Sequence, residues 1–155
     1  MVDNRKQKKI SYGELHDLNL KLVIALRRSM QPEERRLTAL LSENGLTLAQ
    51  FGVLESLYHV GPMNIKEIIE KSLSSSGNMT VVIRNLVKND YITKDRDPED
   101  GRAFIIQLTP KGHEVIDQIF PKHLNMLESV FSTLEKDEKK ALLELLKKLN
   151  KYKIT

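Results

Sequence analysis

The sequence predicts a mainly α-helical (α+β) fold in which a helix with one polar face precedes a charged two-stranded hairpin. Apolar residues recur every three or four positions through most of the 155 residues, which is typical of amphipathic helices. Two short apolar runs, residues 91–93 and 104–108, flank a charged tip that contains Pro98 and Gly101, as expected for a hairpin. Together with the preceding helices, this hairpin indicates a winged helix-turn-helix with a two-stranded wing between long N- and C-terminal helices.

The N-terminal part divides into a flexible tail, residues 1–13, and a helical region, residues 14–46. Leu15, Leu18, Leu22, Leu26 and Met30 share one helical face, which predicts an amphipathic helix. Pro32 is expected to interrupt or restart this helix, because proline lacks the amide that a helix interior needs. Asn44-Gly45 supplies a helix stop.

The middle part, residues 47–112, is the predicted winged helix-turn-helix domain. Thr47 is expected to cap a helix that ends before Gly61-Pro62, Asn64 to cap a short helix over 65–71, and Ser74 to cap the helix over 74–89. A helical wheel of the last helix gives an apolar and a free side. The apolar side carries Met79, Val82, Ile83, Leu86 and Val87, and the free side carries Gly77, Asn78, Val81, Arg84, Asn85 and Lys88.

The C-terminal part, residues 113–155, is predicted to be helical. Thr109-Pro110 begins a helix in which proline occupies a position where its missing amide is harmless. Pro121 is expected to kink or break that helix, and a last helix is predicted over residues 137–152. The N- and C-terminal helices carry more apolar surface than a small winged domain can cover, which favours pairing with a second copy over folding back.

Composition narrows the possible functions. The chain has no cysteine, which excludes disulfides, thiolate metal sites and thiol sensing and fits a cytoplasmic location. No run is long and apolar enough for a membrane span or signal core, and motifs of nucleotide-binding loops, zinc proteases and serine hydrolases are missing, so neither an enzyme nor a cofactor is predicted. The formal net charge is +4, yet residues 47–112 contain eight basic and eight acidic residues.

The free side of the 74–89 helix carries residue types that bind DNA. Asn78 and Arg84 can each make two hydrogen bonds to a base edge, whereas Lys88 suits a phosphate. Asn85 on the same side, and Arg96 and Arg102 in the hairpin, are further candidates. The alternatives are a solvated helix face and, for Arg102, a surface ion pair with a wing carboxylate.

The residues Asp100, Arg102, Leu108 and Thr109, followed by Pro110-Lys111-Gly112, match the wing signature of the multiple antibiotic resistance regulator (MarR) family. The chain resembles that family over nearly its whole length. The resemblance implies a two-fold dimer, held by the first and last helices, that represses transcription and is released by a small ligand. It places Ser75, Ser76, Asn78, Thr80 and Arg84 at the major groove and Arg102 in the minor groove, with Asp100 orienting that arginine.

Residues 76–80 are similar to family members that answer phenolic or quinone-like compounds without cysteine. A small aromatic or phenolic effector is therefore expected between the dimer helices and the winged domain, with Tyr12, His16, Met30 and Tyr58 as pocket candidates. A two-fold dimer predicts a palindromic operator with half-sites about 10 bp apart. His113 and Asp117 are spaced like a metal-binding pair, but surface histidines are the simpler interpretation and no metal is predicted. The alternative function is a winged-helix protein-interaction module that does not recognise DNA sequence.

Overall fold

The computed structural model describes residues 10–71, 76–98 and 103–151, and in residues 76 and 77 only the backbone. Helices and short strands follow one another in the order α1 Glu14–Glu43, α2 Leu48–Val60, β1 Met63–Asn64, α3 Ile65–Lys71, α4 Ser76–Lys88, β2 Ile92–Arg96, β3 Phe104–Leu108, α5 Pro110–Val130 and α6 Lys136–Asn150. The mainly α-helical prediction is confirmed. The chain forms two compact units, which divide after Arg35.

The first unit contains most of α1. At its start the Asp17 carboxylate accepts hydrogen bonds from the Ser11 hydroxyl (2.6 Å) and the Tyr12 amide (3.0 Å), which satisfies a free amide ahead of the helix. Apolar side chains on several sides of this stretch are exposed: Leu15, Leu18, Leu20, Leu22, Val23, Ile24, Leu26 and Met30. The first unit thus presents a largely apolar helix surface.

Neither Pro32 nor Pro121 ends a helix, which corrects the prediction that Pro32 would interrupt α1 and that Pro121 could break α5. Both prolines lie inside continuous helices. A helix-interior proline costs about 3 kcal/mol through the lost hydrogen bond and the crowded carbonyl. Long flanking segments with buried apolar residues, such as Leu37 and Leu41 after Pro32 and Ile116 and Ile119 before Pro121, can offset that cost.

The second unit encloses the hydrophobic core. Side chains from the end of α1, from α2 to α5 and from the three strands fill it. Leu54, Ile68, Met79, Leu86, Ile106 and Ile116 are fully buried. Two predicted caps set the helix starts as expected. The Thr47 hydroxyl accepts from the Gln50 amide while the Gln50 side chain accepts from the Thr47 amide (3.2 and 2.8 Å), and Asn64 and Glu67 form the same reciprocal box (3.0 and 2.8 Å).

The sheet has three antiparallel strands in the order β1-β3-β2. The hairpin of β2 and β3 was predicted, whereas β1, which pairs Met63 with Ile106, was not. A two-residue strand has no periodicity to read, and its partner lies more than 40 residues along the chain. By joining β3, β1 ties the base of the wing to the start of α3.

The last helix, α6, has a capping box in which the Glu138 carboxylate accepts from the Glu135 amide at 2.8 Å. None of its residues is buried, and Leu143, Leu145 and Leu149 are more than half exposed. Within the described ranges, no helix is both long enough and apolar enough to cross a membrane.

Candidate nucleic-acid interface

The helix α4 divides its residues between the core and solvent. Met79, Val82, Ile83 and Leu86 are at most 5% exposed, which confirms four of the five residues predicted for its apolar side. The exposed face carries six of the residues proposed to contact DNA: Asn78, Thr80, Val81, Arg84, Asn85 and Lys88. Val87 was predicted to be buried, but it is 41% exposed, because its position near the end of the helix lies at the border of the apolar stripe. The structure thus brings a polar and basic row of side chains to one open helix face.

The C-terminal end of α4 is closed by a pair of crossing hydrogen bonds. The Tyr91 amide donates to the Leu86 carbonyl and the Asp90 amide to the Val87 carbonyl, both at 3.0 Å, which is the Schellman arrangement. Asp90 takes the left-handed conformation that this arrangement needs, with φ 61°, a position that glycine usually occupies. The turn fixes where α4 stops and β2 begins.

The first turn of α5 packs directly on that closed end. Thr109 caps α5 by accepting from the Gly112 amide (3.0 Å), and its hydroxyl donates to the Asp90 carbonyl (2.7 Å). The Thr109 amide donates to the Tyr91 carbonyl (3.1 Å). A side chain at Gly112 would lie only 2.1 Å from that same carbonyl. The run Leu-Thr-Pro-Lys-Gly, residues 108–112, therefore has a structural role, because it packs the start of α5 against the C-terminal end of α4.

The wing carries opposite charges on opposite faces. The register pairs Lys94 with Ile106 and Arg96 with Phe104, so both basic residues lie on the sheet face of the buried Ile92, whereas Asp95 lies on the other face. On the basic face the Lys94 ammonium sits 4.3 Å from the centre of the exposed Phe104 ring. Within β2, therefore, the basic and acidic side chains lie on different faces of the strand.

Several predicted residues lie outside the described part of the chain. Ser75, Asp100 and Arg102 fall in its gaps, and Ser76 begins α4 without a described side chain. The placement of the wing arginine and its orienting carboxylate stays a prediction from the family resemblance.

Two of the four predicted effector residues lie together. Tyr12 and His16 line an open concavity of about 780 Å³ with Asn19, Leu20 and Val23. Met30 lies fourteen residues beyond His16 on the same helix, roughly 21 Å away, and is not part of that concavity. Tyr58 lies in the second unit.

Tyr58 belongs to an aromatic and histidine cluster between α2 and α5 that was not predicted. Its hydroxyl donates to the Asp117 carboxylate at 2.6 Å. This hydrogen bond, then the negative charge of Asp117 and partial burial, raise the pKa of Tyr58. The His113 ring lies 5.8 Å from that of Tyr58, and the Phe120 ring 4.7 Å from that of His59. The four-residue spacing of His113 and Asp117 indicates that they share one face of a helix, but it gives no sign that Tyr58 contacts that face. Across the described residues, no three His, Asp or Glu side chains are grouped to hold a metal ion.

Comparison with known proteins finds similarity to transcriptional regulators. The family model for the transcriptional regulator SarA/Rot matches residues 36–119. Over 106 residues the chain is 41% identical to YkoM, an uncharacterized HTH-type transcriptional regulator of Bacillus subtilis, with 68% of this chain and 69% of the relative covered.

Two solved structures share the fold at 25% identity. One is BpsR of Bordetella bronchiseptica, whose structure concerns regulation of its DNA binding by 6-hydroxynicotinic acid. It has a TM-score of 0.73 and covers 84% of this chain and 98% of its own. The other is a mutant MarR of E. coli complexed with operator DNA, with a TM-score of 0.72 and coverage of 88% of this chain and 99% of its own.

Proposed function

Because the chain belongs to the MarR family of winged helix-turn-helix transcription regulators, we propose that it is a cytoplasmic repressor without enzymatic activity. It binds a palindromic operator as a homodimer and is released by a small aromatic or phenolic effector. The observation that carries the DNA-binding proposal is the row of exposed side chains on α4, the helix that comes after α3 and before a wing strand with Lys94 and Arg96 on one face. Helix insertion into the major groove is how such elements read a duplex.

Within the proposal each side chain has a role that follows from its chemistry. Arg84 suits the two acceptors of guanine and Asn78 the donor and acceptor of adenine, while Val81 offers an apolar contact to a thymine methyl group. Thr80, Asn85, Lys88 and Arg96 make phosphate or additional base contacts in this proposal. Ser75, Ser76, Arg102 and Asp100 keep the roles that the family resemblance implies.

The dimer proposal is supported by the exposed apolar side chains of the terminal helices. Eight large apolar residues of α1 and three of α6 are at least 38% exposed. Burial of such surface contributes roughly 25 cal/mol per Å², so covering it with a second copy is favourable. A two-fold pair presents two α4 helices to successive major grooves, with half-sites roughly 34 Å apart.

The effector proposal is supported by the concavity at Tyr12 and His16 and by the relative BpsR, whose DNA binding 6-hydroxynicotinic acid regulates. A tyrosine and a histidine beside apolar Leu20 and Val23 can stack on an aromatic ring and hydrogen-bond its hydroxyl group. An effector that favours a dimer geometry mismatched to the grooves lowers DNA affinity by the coupling free energy, typically about 1–3 kcal/mol.

A titration tests DNA binding. An operator is first selected from a random-sequence duplex library, and binding is then followed by fluorescence anisotropy at several salt concentrations. We expect a palindromic selected site, a steep loss of affinity with salt, and a loss of about 1–3 kcal/mol per half-site for Arg84→Ala. Lys122→Ala, on an exposed part of α5, serves as the control. A chain that enriches no sequence and shows no salt-dependent binding would instead be the protein-interaction module.

Two further measurements test repression and the effector. Transcription in vitro from a promoter that overlaps the selected site should fall when the protein is added, and a rise would indicate an activator. Phenolic compounds should raise the melting temperature of the wild type and weaken its binding to DNA. Neither effect is expected for His16→Ala. The absence of any shift across the panel would reject this effector class.

A further inference from the structure

Lys111 lies outside the exposed face of α4 and contacts two residues that follow this helix. Its ammonium donates a hydrogen bond to the Asn89 carbonyl at 2.8 Å and lies 4.9 Å from the centre of the Tyr91 ring. Asn89 immediately follows α4, so its carbonyl belongs to the free acceptors at the negative end of that helix. A lysine ammonium is a favourable partner for such carbonyls.

The Lys111 contact joins two elements that are distant in sequence. Residue 111 lies in the first turn of α5, whereas Asn89 lies at the end of α4, and the hairpin stands between them. The Thr109 hydroxyl bonds the next carbonyl along, that of Asp90, at 2.7 Å, and the Thr109 amide bonds that of Tyr91. Three successive carbonyls, at Asn89, Asp90 and Tyr91, are therefore held by residues 109 and 111.

We propose that Lys111 is a positioning residue for DNA recognition: it holds the C-terminal end of α4 against α5 and so sets the direction in which α4 enters the groove, without contacting DNA itself. This inference rests on the proposed DNA-binding function. A small change in helix direction at one end displaces side chains such as Asn78, about ten residues away at the other. Because base contacts need hydrogen-bond geometry, loss of the Lys111 contact weakens recognition at a distance.

The alternative role for an exposed lysine on a DNA-binding protein is a direct phosphate contact, and the two roles differ in salt dependence. Each neutralised phosphate contributes about 0.9 to the slope of log affinity against log salt. Removing one phosphate contact per subunit of a dimer therefore lowers the slope by about 1.8. Removing a positioning contact leaves the slope unchanged.

The test compares Lys111→Met, which keeps a side chain of similar length without the charge, with Lys111→Arg, Lys88→Met and Lys122→Met on the selected operator. For Lys111→Met we expect roughly three- to tenfold weaker binding with the wild-type salt slope. Lys111→Arg, which can still donate to the carbonyl, should stay within about twofold of wild type. Lys88→Met should lower the slope, and Lys122→Met, which removes the same charge elsewhere on α5, should change little.

A second measurement does not depend on DNA. Hydrogen exchange of the Asp90 and Tyr91 amides, which close α4, should be at least about threefold faster in Lys111→Met than in wild type, with amides of α2 unchanged. A reduced salt slope, unchanged affinity, or unchanged exchange at these amides would overturn the proposal. If the wild type binds no DNA, the proposed function fails, while the exchange measurement still decides whether Lys111 holds the helix end.

Discussion

Replacing Gly112 with alanine tests the docking of α5 on the end of α4. The new methyl group would lie 2.1 Å from the Tyr91 carbonyl oxygen and 3.0 Å from the Leu108 side chain. Real contacts of this kind stay beyond 3.0 Å, so the methyl group and the oxygen must separate by about 0.9 Å. The oxygen belongs to the backbone and accepts from the Thr109 amide at 3.1 Å, so an outward shift of that size breaks this hydrogen bond.

The magnitude follows from three contributions. Overpacking costs about 1–3 kcal/mol, the lost hydrogen bond about 1 kcal/mol, and the better helix propensity of alanine returns about 1 kcal/mol. We expect the free energy of unfolding of Gly112→Ala to fall by about 1–3 kcal/mol. Urea denaturation followed by circular dichroism, at one fixed protein concentration, measures it.

Gly52→Ala is the matched control. Gly52 also lies within a helix, but a methyl group there meets nothing within 4 Å, so the variant should be about 0.5–1 kcal/mol more stable than wild type. If Gly112→Ala proves as stable as wild type, or if both variants shift equally, the close approach of α5 to Tyr91 is not a stability determinant and the reasoning is refuted.

Three further predictions concern the end of α4, its exposed face and the α2–α5 contact. Asp90→Gly should raise the free energy of unfolding by about 0.5–1 kcal/mol, because glycine accepts the left-handed φ at no cost, whereas Asp90→Val should lower it. Urea denaturation measures both variants, and equal free energies of unfolding would contradict this. Replacing operator thymines with uracils should weaken wild-type binding but leave Val81→Ala unaffected, since only the wild type has the apolar contact to lose; equal sensitivity would count against it. The raised pKa of Tyr58 means that the folded state favours the protonated hydroxyl, so the stability contributed by its hydrogen bond to Asp117 is present below pH about 10 and is lost as the pH rises through the folded pKa. Tyr58→Phe should therefore lose less stability than wild type at high pH. Identical dependence of stability on pH in the two proteins would show that the Asp117 contact is not made.

Local signals in the sequence predicted the helix starts well. Thr47 and Asn64 were predicted as caps, and each accepts the expected hydrogen bond from an amide three residues on. The helix start predicted at Thr109-Pro110 is also confirmed, whereas Ser74, the cap predicted for α4, lies outside the described residues. A cap is recognisable because donor and acceptor lie within one turn, so no distant information is needed. The same holds for the apolar side of α4, where Met79, Val82, Ile83 and Leu86 were correctly assigned.

Features that depend on distant residues were missed. Pro32 and Pro121 were expected to disrupt helices on local grounds, yet packing along each helix outweighs the local penalty. The pairing of β1 with β3 and the contact of Tyr58 with Asp117 join residues more than 40 positions apart. The charge separation on the wing also needed the strand register, since composition shows only that acids and bases are equally numerous.

That register has a consequence for how the hairpin tolerates change. Since side chains alternate along β2, an insertion or deletion that slips the pairing by one residue would exchange the faces of Lys94 and Asp95. The face that carries Lys94 and Arg96 would then carry Asp95, although the composition of the strand would hardly differ. Strand alignment, and not the number of charged residues, thereby sets the charge of each face of β2.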